Sequence, residues 1–212
     1  MFQNYKNPEL LVNIWKDEPL IIIGGGTSIL DFNISKITQE FKSIGVNNAA
    51  FDFNTDALWF SDDRWAYEWN AIELQKYNGI IAGCPHAPCS NLYWYKRNKP
   101  CGIEKRADSI AWNNNSGAGA INFAYHLGSR VIGLVGFDMK KGKKGEYNYH
   151  NSHKINSVKY NPFPLMIKSF EIIAEDAKKV ELEIYNLNQD SDLQVFQKLE
   201  ISEFINRFKK RI

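Results

Sequence analysis

The sequence predicts an α/β fold built on a single doubly wound, mostly parallel sheet, and two observations support this prediction. Strand signals alternate with helix signals along the 212 residues, which is typical of parallel strands joined by crossover helices. The strongest strand signals are short, wholly apolar runs, as expected for strands that are buried on both faces. Residues 1–212 are therefore predicted to form one Rossmann-like domain with a lid-like insertion.

The first half of the chain carries four of the predicted strands. Leu20–Ile23 is an apolar run with three isoleucines, and it ends abruptly at a glycine-rich turn. Asp62 or Asp63 is placed to cap a later helix, since short acidic side chains accept hydrogen bonds from the first backbone amides of a helix. The other predicted elements are a helix over residues 34–41, strands over 43–46, 57–60 and 79–82, and a helix over 64–75.

The second half begins with a segment that shows little periodicity. Residues 84–114 contain prolines, asparagines and all three cysteines, and we predict that they form the lid-like excursion. A helix is predicted from Ser116 to His126, with Gly128 suited to its C-terminal cap. The elements predicted after it are a strand over residues 130–135, a site loop over about 139–160, a helix over 164–178, a strand over 182–187 and a helix over 201–208.

Composition argues against several classes of protein. The formal net charge is only +2, which disfavours a nucleic-acid partner. No apolar run approaches the roughly 20 residues of a membrane span, and the N-terminal residues lack a signal-peptide pattern. Cys84, Cys89 and Cys101 form an odd set, which favours a reducing compartment over a disulfide framework. We therefore expect a cytoplasmic protein. No metal and no cofactor are predicted either.

Polar residues and glycines follow four of the predicted strands. The turn Gly24-Gly25-Gly26-Thr27-Ser28 follows the first strand and Asn47 follows the second. Ser61-Asp62 follows the third, and Gly136-Phe137-Asp138 follows the strand over residues 130–135. Ligands of open parallel sheets collect at the carboxyl ends of the strands, near the point where the strand order reverses. These residues are therefore predicted to surround one binding site.

Two of these segments have a composition suited to phosphate. The three glycines of the first turn let a phosphate approach the backbone closely, and Ser28 adds a hydroxyl donor. Ser116 and Gly117 open a helix, whose first amides carry a positive partial charge. The alternative for each segment is structural, because small residues also allow a tight turn between strand and helix and close packing of a helix on a sheet.

Two histidines lie in the polar loop beyond Asp138. His150 and His153 are three residues apart among tyrosines and asparagines. Each has the side chain of a general base or of a phosphate contact, and the alternative is a solvated surface residue. The position of the loop after a strand end favours a catalytic or binding role for one of the pair.

Several short motifs resemble, in order, those of the single-domain bacterial sialyltransferases and the related pterin-diphosphokinase-like proteins. GGGTSILDF after the first strand is similar to the G-x-G-P-S-L motif of that superfamily. The loop with GEYNYHNSHK is similar to its phage-encoded and prophage-encoded members. The other matching segments are Asn47, the helix start at 115–117, RVIGLVGFDM, the NSH segment at 151–153, ELEIYNL and the serine of DSDLQVF. The resemblance extends from about residue 20 to residue 205.

The resemblance implies a cytidine-nucleotide site and a reaction. A histidine of the later loop would deprotonate the acceptor hydroxyl. His153 lies one turn-like step before the position of that base, and Asn156 occupies the position itself. Tyr147 matches one of two tyrosines that bind the departing phosphate, Lys140 replaces the other, and Asn113 stands where an arginine is expected. Relatives also imply self-association into a homo-oligomer. The residues implied around CMP are Gly24, Gly26, Ser28, Asn47, Ser61 and Ser116.

Three functions are open at this point. The first is a metal-independent glycosyltransferase that moves a sugar from a nucleotide-activated, CMP-linked donor to a glycan or another hydroxyl acceptor, with His150 or His153 as base. The second is a magnesium-dependent, diphosphokinase-like phosphotransferase, for which Asp62, Asp63 and Asp138 offer carboxylate ligands. The third is a catalytically inactive nucleotide-binding or assembly protein. We predict the first.

Overall fold

A computed structural model of the chain describes residues 5–150 and 160–209. Within these residues, eight strands form a main sheet and two more form a small separate sheet. The strands of the main sheet are β1 (Leu20–Ile23), β2 (Lys42–Val46), β3 (Ala57–Phe60), β4 (Ile80–Gly83), β5 (Leu92–Trp94), β8 (Val131–Val135), β9 (Glu183–Asn186) and β10 (Gln197–Lys198). The strands of the small sheet are β6 (Lys96–Lys99) and β7 (Ser109–Ala111).

The order of the strands defines where a ligand is expected. The main sheet runs β10-β9-β8-β1-β2-β3-β4-β5, and each of these neighbouring pairs is parallel. The chain moves outward from β1 through β5 and then returns to β8, on the other side of β1. The strand order therefore reverses between β1 and β8, and a crevice forms at the carboxyl ends of these two strands.

Helices cover both faces of the main sheet. In the described part of the chain they are α1 (Ile34–Glu40), α2 (Ala49–Asp52), α3 (Ala71–Lys76), α4 (Ser116–His126), α5 (Phe163–Lys179) and α6 (Ile201–Phe208). Helices α4 and α5 pack on the face that holds Ile22, whereas α1 and α6 pack on the face that holds Ile21. Both isoleucines are fully buried, which explains why β1 is apolar throughout. The predicted doubly wound α/β fold is confirmed.

The helices of the described residues include none that combines the length and the apolar character of a membrane span.

The predicted helix over residues 64–75 is interrupted. Its first part is a π-helical turn, Trp65–Trp69, and its second part is α3. Between them the side-chain amide of Asn70 donates a hydrogen bond to the carbonyl of Trp65 at 3.0 Å. A side chain that takes a backbone carbonyl competes with the hydrogen-bond ladder of the helix, so the break falls at Asn70.

Residues 84–114 contain three strands that the sequence did not predict. Strand β5 extends the main sheet beside β4, and β6 pairs with β7. The sequence of β6 is Lys-Arg-Asn-Lys, which lacks the alternation of apolar and polar residues that marks a strand. An ion pair of 2.9 Å between Lys96 and Asp108 joins β6 to the residue before β7. The segment is thus an ordered edge of the fold, and its action as a lid stays a prediction.

Candidate functional site

A cleft of about 380 Å³ opens where the strand order reverses. Its walls come from the turn after β1, the start of α4, the segment after β8 and the start of α5. The lining residues are Gly24, Gly25, Gly26, Val46, Asn47, Asp62, Trp65, Asn114, Asn115, Ser116, Gly117, Gly136, Phe137, Asp138, Met139, Lys140, Tyr147, Asn148, His150, Pro162, Phe163 and Met166. The lining therefore combines backbone and amide groups with apolar side chains.

The glycine turn is fastened to the end of β8. The amide of Gly24 donates to the carbonyl of Val135 and that of Gly26 donates to the carbonyl of Gly136, each at 2.8 Å. A Cβ atom on Gly26 would lie 2.5 Å from Cγ of Asp138, and one on Gly24 would lie 2.6 Å from the Gly136 oxygen. Close packing thus requires glycine at these two positions. A Cβ on Gly25, by contrast, would meet only the Asn148 side chain, at 3.0 Å, so this glycine borders the cleft.

The Asp138 carboxylate fixes the glycine turn through hydrogen bonds. Its Oδ2 accepts the backbone amide of Ser28 at 2.9 Å, and its Oδ1 accepts the Ser28 hydroxyl. The side-chain amide of Asn188 donates to the same Oδ1 at 2.9 Å. Asp138 is only 4% exposed, so these bonds replace the water that its two oxygens lost on burial. The residue links β1, β8 and the segment after β9.

The start of α4 presents backbone amides to the cleft. Oδ1 of Asn115 accepts the amide of Ala118 at 2.7 Å, and its carbonyl accepts the amide of Gly119 at 3.2 Å. The other two amides of the first turn belong to Ser116 and Gly117, and both residues line the cleft. The helix dipole adds positive partial charge at this end. The arrangement suits an anion such as a phosphate.

Asn47 enters the cleft from the end of β2. Its backbone is left-handed, with φ of 55°, which asparagine adopts more readily than most residues. Its amide donates to the carbonyl of Trp59 at 3.0 Å, which fixes the turn. Its Oδ1 is buried and has no hydrogen-bond partner within the described residues. Such an orphaned acceptor costs roughly 1–3 kcal/mol.

The loop that follows β8 returns over the glycine turn. The amide of Tyr149 donates to the carbonyl of Gly25 at 2.9 Å, and its hydroxyl donates to Asp52 at 2.5 Å. Burial, together with the neighbouring Asp52 carboxylate, raises the pKa of Tyr149 well above its ordinary value. The ring of His150 stands edge-on against that of Tyr149 at 4.7 Å between centroids, and His150 lines the cleft. The loop therefore brings an imidazole to the glycine turn.

The predicted site residues fall into four groups. The predicted residues that line the cleft are Gly24, Gly25, Gly26, Asn47, Asp62, Ser116, Gly117, Asp138, Tyr147 and His150. Ser61 stands behind the lining, where its hydroxyl hydrogen-bonds that of Ser116 at 2.7 Å. Ser28 faces a second cavity. His153 lies outside the described residues, as does Asn156.

The second cavity, of about 520 Å³, adjoins the cleft and shares Asp138, Lys140 and Asn148 with it. Its other lining residues include Ser28 and the lysines of the loop 140–144. Lys140 forms an ion pair of 2.7 Å with Asp190, and Lys141 lies over the ring of Tyr147 at 4.7 Å. Both hydrogen-bond donors of Ser28 are directed to Asp138, and a contact of Ser28 with a ligand of the glycine turn stays a prediction.

Several residues that line the cleft were not predicted from the sequence. Phe163 and Met166 belong to α5, whose amphipathic pattern marks them as core rather than cleft. Asn114 lies in a loop with no motif of its own, and Asn148 lies in the segment GEYNYHNSHK but was not itself predicted as a site residue. The left-handed φ of Asn114, 54°, was signalled only by the run of three asparagines at 113–115.

Solved structures share this fold. The sialyltransferase CstII from Campylobacter jejuni, in complex with the substrate analogue cytidine-5'-monophosphate, aligns with a TM-score of 0.56 and 15% identity, over 87% of this chain and 85% of that chain. The same enzyme in complex with CMP-3FNeuAc gives a TM-score of 0.53 and 17% identity, over 92% of this chain and 89% of that chain. At this identity the similarity shows the fold.

A third structure shares only part of its length with this chain. The MAf glycosyltransferase from Magnetospirillum magneticum AMB-1 aligns with a TM-score of 0.60 and 12% identity, over 94% of this chain and 39% of that chain. The chain therefore spans well under half of that protein. No protein-family model and no curated protein matches the sequence.

Proposed function

We propose that this chain is a metal-independent glycosyltransferase that takes a sugar from a CMP-linked donor and passes it to a hydroxyl of an acceptor glycan. One observation carries the proposal. The cleft at the strand-order reversal offers backbone amides and a glycine-bordered approach to an anion, in a fold shared with a sialyltransferase solved with CMP. Cytoplasmic localisation and self-association stay predictions of the sequence.

The start of α4 is suited to the phosphate of the donor. The bond that breaks joins the anomeric carbon to a phosphate oxygen, and CMP leaves with the electron pair. Negative charge grows on that oxygen in the transition state, where preorganised donors stabilise it most. The amides of Ser116 and Gly117 supply such donors, and Lys140 supplies a positive charge at the cleft. The side chain of Lys140 is one-third exposed and already paired with Asp190, so its contribution is the smaller.

The acceptor needs a base, and His150 is the described residue that meets this need. Its imidazole lines the cleft and stands against Tyr149, which the glycine turn holds in place. The acceptor oxygen attacks the anomeric carbon as its proton passes to the imidazole. An ordinary histidine titrates near neutral pH, which suits a general base. His153 is the second candidate from the sequence, three residues further along the same loop.

A magnesium-dependent phosphotransferase is the alternative that the site disfavours. Such an enzyme holds its metal with carboxylate oxygens that are open to the cation. Both oxygens of Asp138 already accept hydrogen bonds, from Ser28 and Asn188. Asp62 accepts the amide of Trp65 at 3.0 Å and caps that turn. Two of the three carboxylates that the sequence offered for Mg²⁺, Asp62 and Asp138, thus already accept hydrogen bonds within the fold.

The test is release of CMP from a CMP-linked sugar, measured with EDTA and with added Mg²⁺. The proposal expects release in EDTA and faster release when an acceptor glycan is present. A protein that releases no CMP in either condition, but turns over a purine triphosphate with Mg²⁺, would support the phosphotransferase instead. Tight binding of CMP without any release would identify a binding protein that has lost its activity.

A further inference from the structure

A tryptophan stands exposed beside the cleft with an arginine laid over it. The indole of Trp112 is 52% exposed, an unusual state for so large an apolar ring. The guanidinium carbon of Arg97 lies 4.9 Å from its ring centroid, within the range of a cation–π contact. The pair combines a flat apolar surface with a cluster of N–H donors.

The surrounding backbone holds this pair in place. The guanidinium of Arg97 donates to the carbonyl of Ser61 at 2.6 Å, which ties it to the end of β3. The amide of Trp112 donates to the carbonyl of Lys99 at 2.8 Å. Asn113, which follows Trp112, is fully buried and its side-chain amide donates to the carbonyls of Gly102 and Ala111 at 3.0 and 3.1 Å. The exposed ring is therefore preorganised, as a binding surface requires.

Short links through neighbouring residues connect the pair with the lining of the cleft. Two residues beyond Trp112, Asn114 already lines the cleft. Ser61, which Arg97 contacts, hydrogen-bonds Ser116 at the start of α4. A molecule that rests on Trp112 would therefore reach toward the place proposed for the donor.

We propose that Arg97 and Trp112 form the subsite that holds the acceptor saccharide. This inference rests on the proposed glycosyltransferase function. A pyranose ring has one face rich in C–H groups, which packs on an aromatic ring, and a girdle of hydroxyl oxygens, which accept hydrogen bonds. Trp112 meets the first need, and the remaining guanidinium N–H groups of Arg97 meet the second. The fixed ring gives up little conformational entropy when the sugar binds.

The test measures binding of saccharides in the absence of donor. The labelled protein is applied to an array of neutral and acidic glycans, and the variants Trp112→Ala and Arg97→Met are compared with the wild type on the glycans that it binds. Removal of a central aromatic or arginine contact is expected to weaken binding about tenfold or more. Trp112→Phe, which keeps a flat ring, should recover part of the loss. The affinity for CMP, measured by calorimetry, should not change.

Arg130→Met is the matched control. Arg130 also lies over an aromatic ring, that of Tyr125 at 5.2 Å, and also donates to a backbone carbonyl, that of Ser129 at 2.9 Å. This pair stands at the end of α4 that is remote from the cleft, so glycan binding should survive its loss.

The inference is overturned if the wild type binds no glycan, or if Trp112→Ala binds as well as the wild type. It is also overturned if Trp112→Ala weakens CMP binding, which would assign the ring to the nucleobase, or changes the oligomeric state, which would assign it to a second copy of the chain. The CMP measurement separates this inference from the proposed function. If glycan binding is absent and the affinity for CMP is normal, the acceptor subsite is refuted and the proposed function is not.

Discussion

Gly25→Val is expected to remove CMP binding while the protein stays folded. The Cβ atom at position 25 would meet only the end of the Asn148 side chain, at 3.0 Å, which can move aside. The valine methyl groups would instead enter a cleft of about 380 Å³, where the donor is proposed to lie. At a CMP concentration one hundred times its Kd, the wild type should gain about 2.7 kcal/mol of stability. For a chain of this length that corresponds to a rise in Tm of roughly 5–11 °C, which Gly25→Val should lack.

Gly26→Val is the structural counterpart of this variant. A Cβ atom there would lie 2.5 Å from Cγ of Asp138 and 2.7 Å from the Gly136 oxygen, and a backbone oxygen cannot move aside cheaply. Overpacking of this kind costs about 1–3 kcal/mol, or roughly 2–12 °C in Tm. Thermal melts of both variants with and without CMP separate the two effects. The reasoning is refuted if Gly25→Val keeps the full CMP shift, or if Gly26→Val without ligand melts with the wild type.

Three further outcomes are expected. His150→Ala should lower CMP-sugar turnover by roughly 10²–10⁴-fold with unchanged CMP affinity, and full turnover would remove His150 from catalysis. Asp138→Asn should cost about 1.5–3 kcal/mol in urea unfolding, because a neutral amide cannot accept both Ser28 donors as strongly; wild-type stability would show that the clamp is unimportant. Burial raises the pKa of the Cys84 thiol from 9.0 to about 11. Its folded pKa thus exceeds its unfolded pKa, so roughly 2–3 kcal/mol of stability, present below pH 9, should be lost as pH rises from 9 to 11. Cys84→Ala should flatten that decline, and an unchanged pH profile would contradict the assignment.

Much of the fold was predictable because its strands are buried on both faces. β1 and β3 are short apolar runs, and their ends match the predicted bounds, 20–23 and 57–60. Strand β6 was missed because its Lys-Arg-Asn-Lys sequence carries no apolar pattern, and its pairing with β7 comes from tertiary contacts such as the ion pair of Lys96 with Asp108. Local periodicity contains no information about such long-range pairing.

The candidate site was predictable in its location and less so in its detail. Polar residues at four strand ends indicated where the cleft lies, since the carboxyl ends of parallel strands meet at one edge. The packing of Gly26 could not be predicted: its amide bonds to the carbonyl of Gly136, and its missing side chain makes room for Asp138. Those contacts join positions more than 100 residues apart, so no local pattern could have revealed them. Trp112 was equally hidden, because exposure of a tryptophan cannot be deduced from its neighbours in the sequence.

The central claim is that the cleft between β1 and β8 holds the CMP part of the donor. A crystal structure of the protein with CMP tests it most directly. We expect that the phosphate lies within hydrogen-bond distance of the amides of Ser116 and Gly117 and that the nucleotide passes Gly25 and Asn47. A nucleotide seated instead in the second cavity, among the lysines of the loop 140–144, would contradict the account.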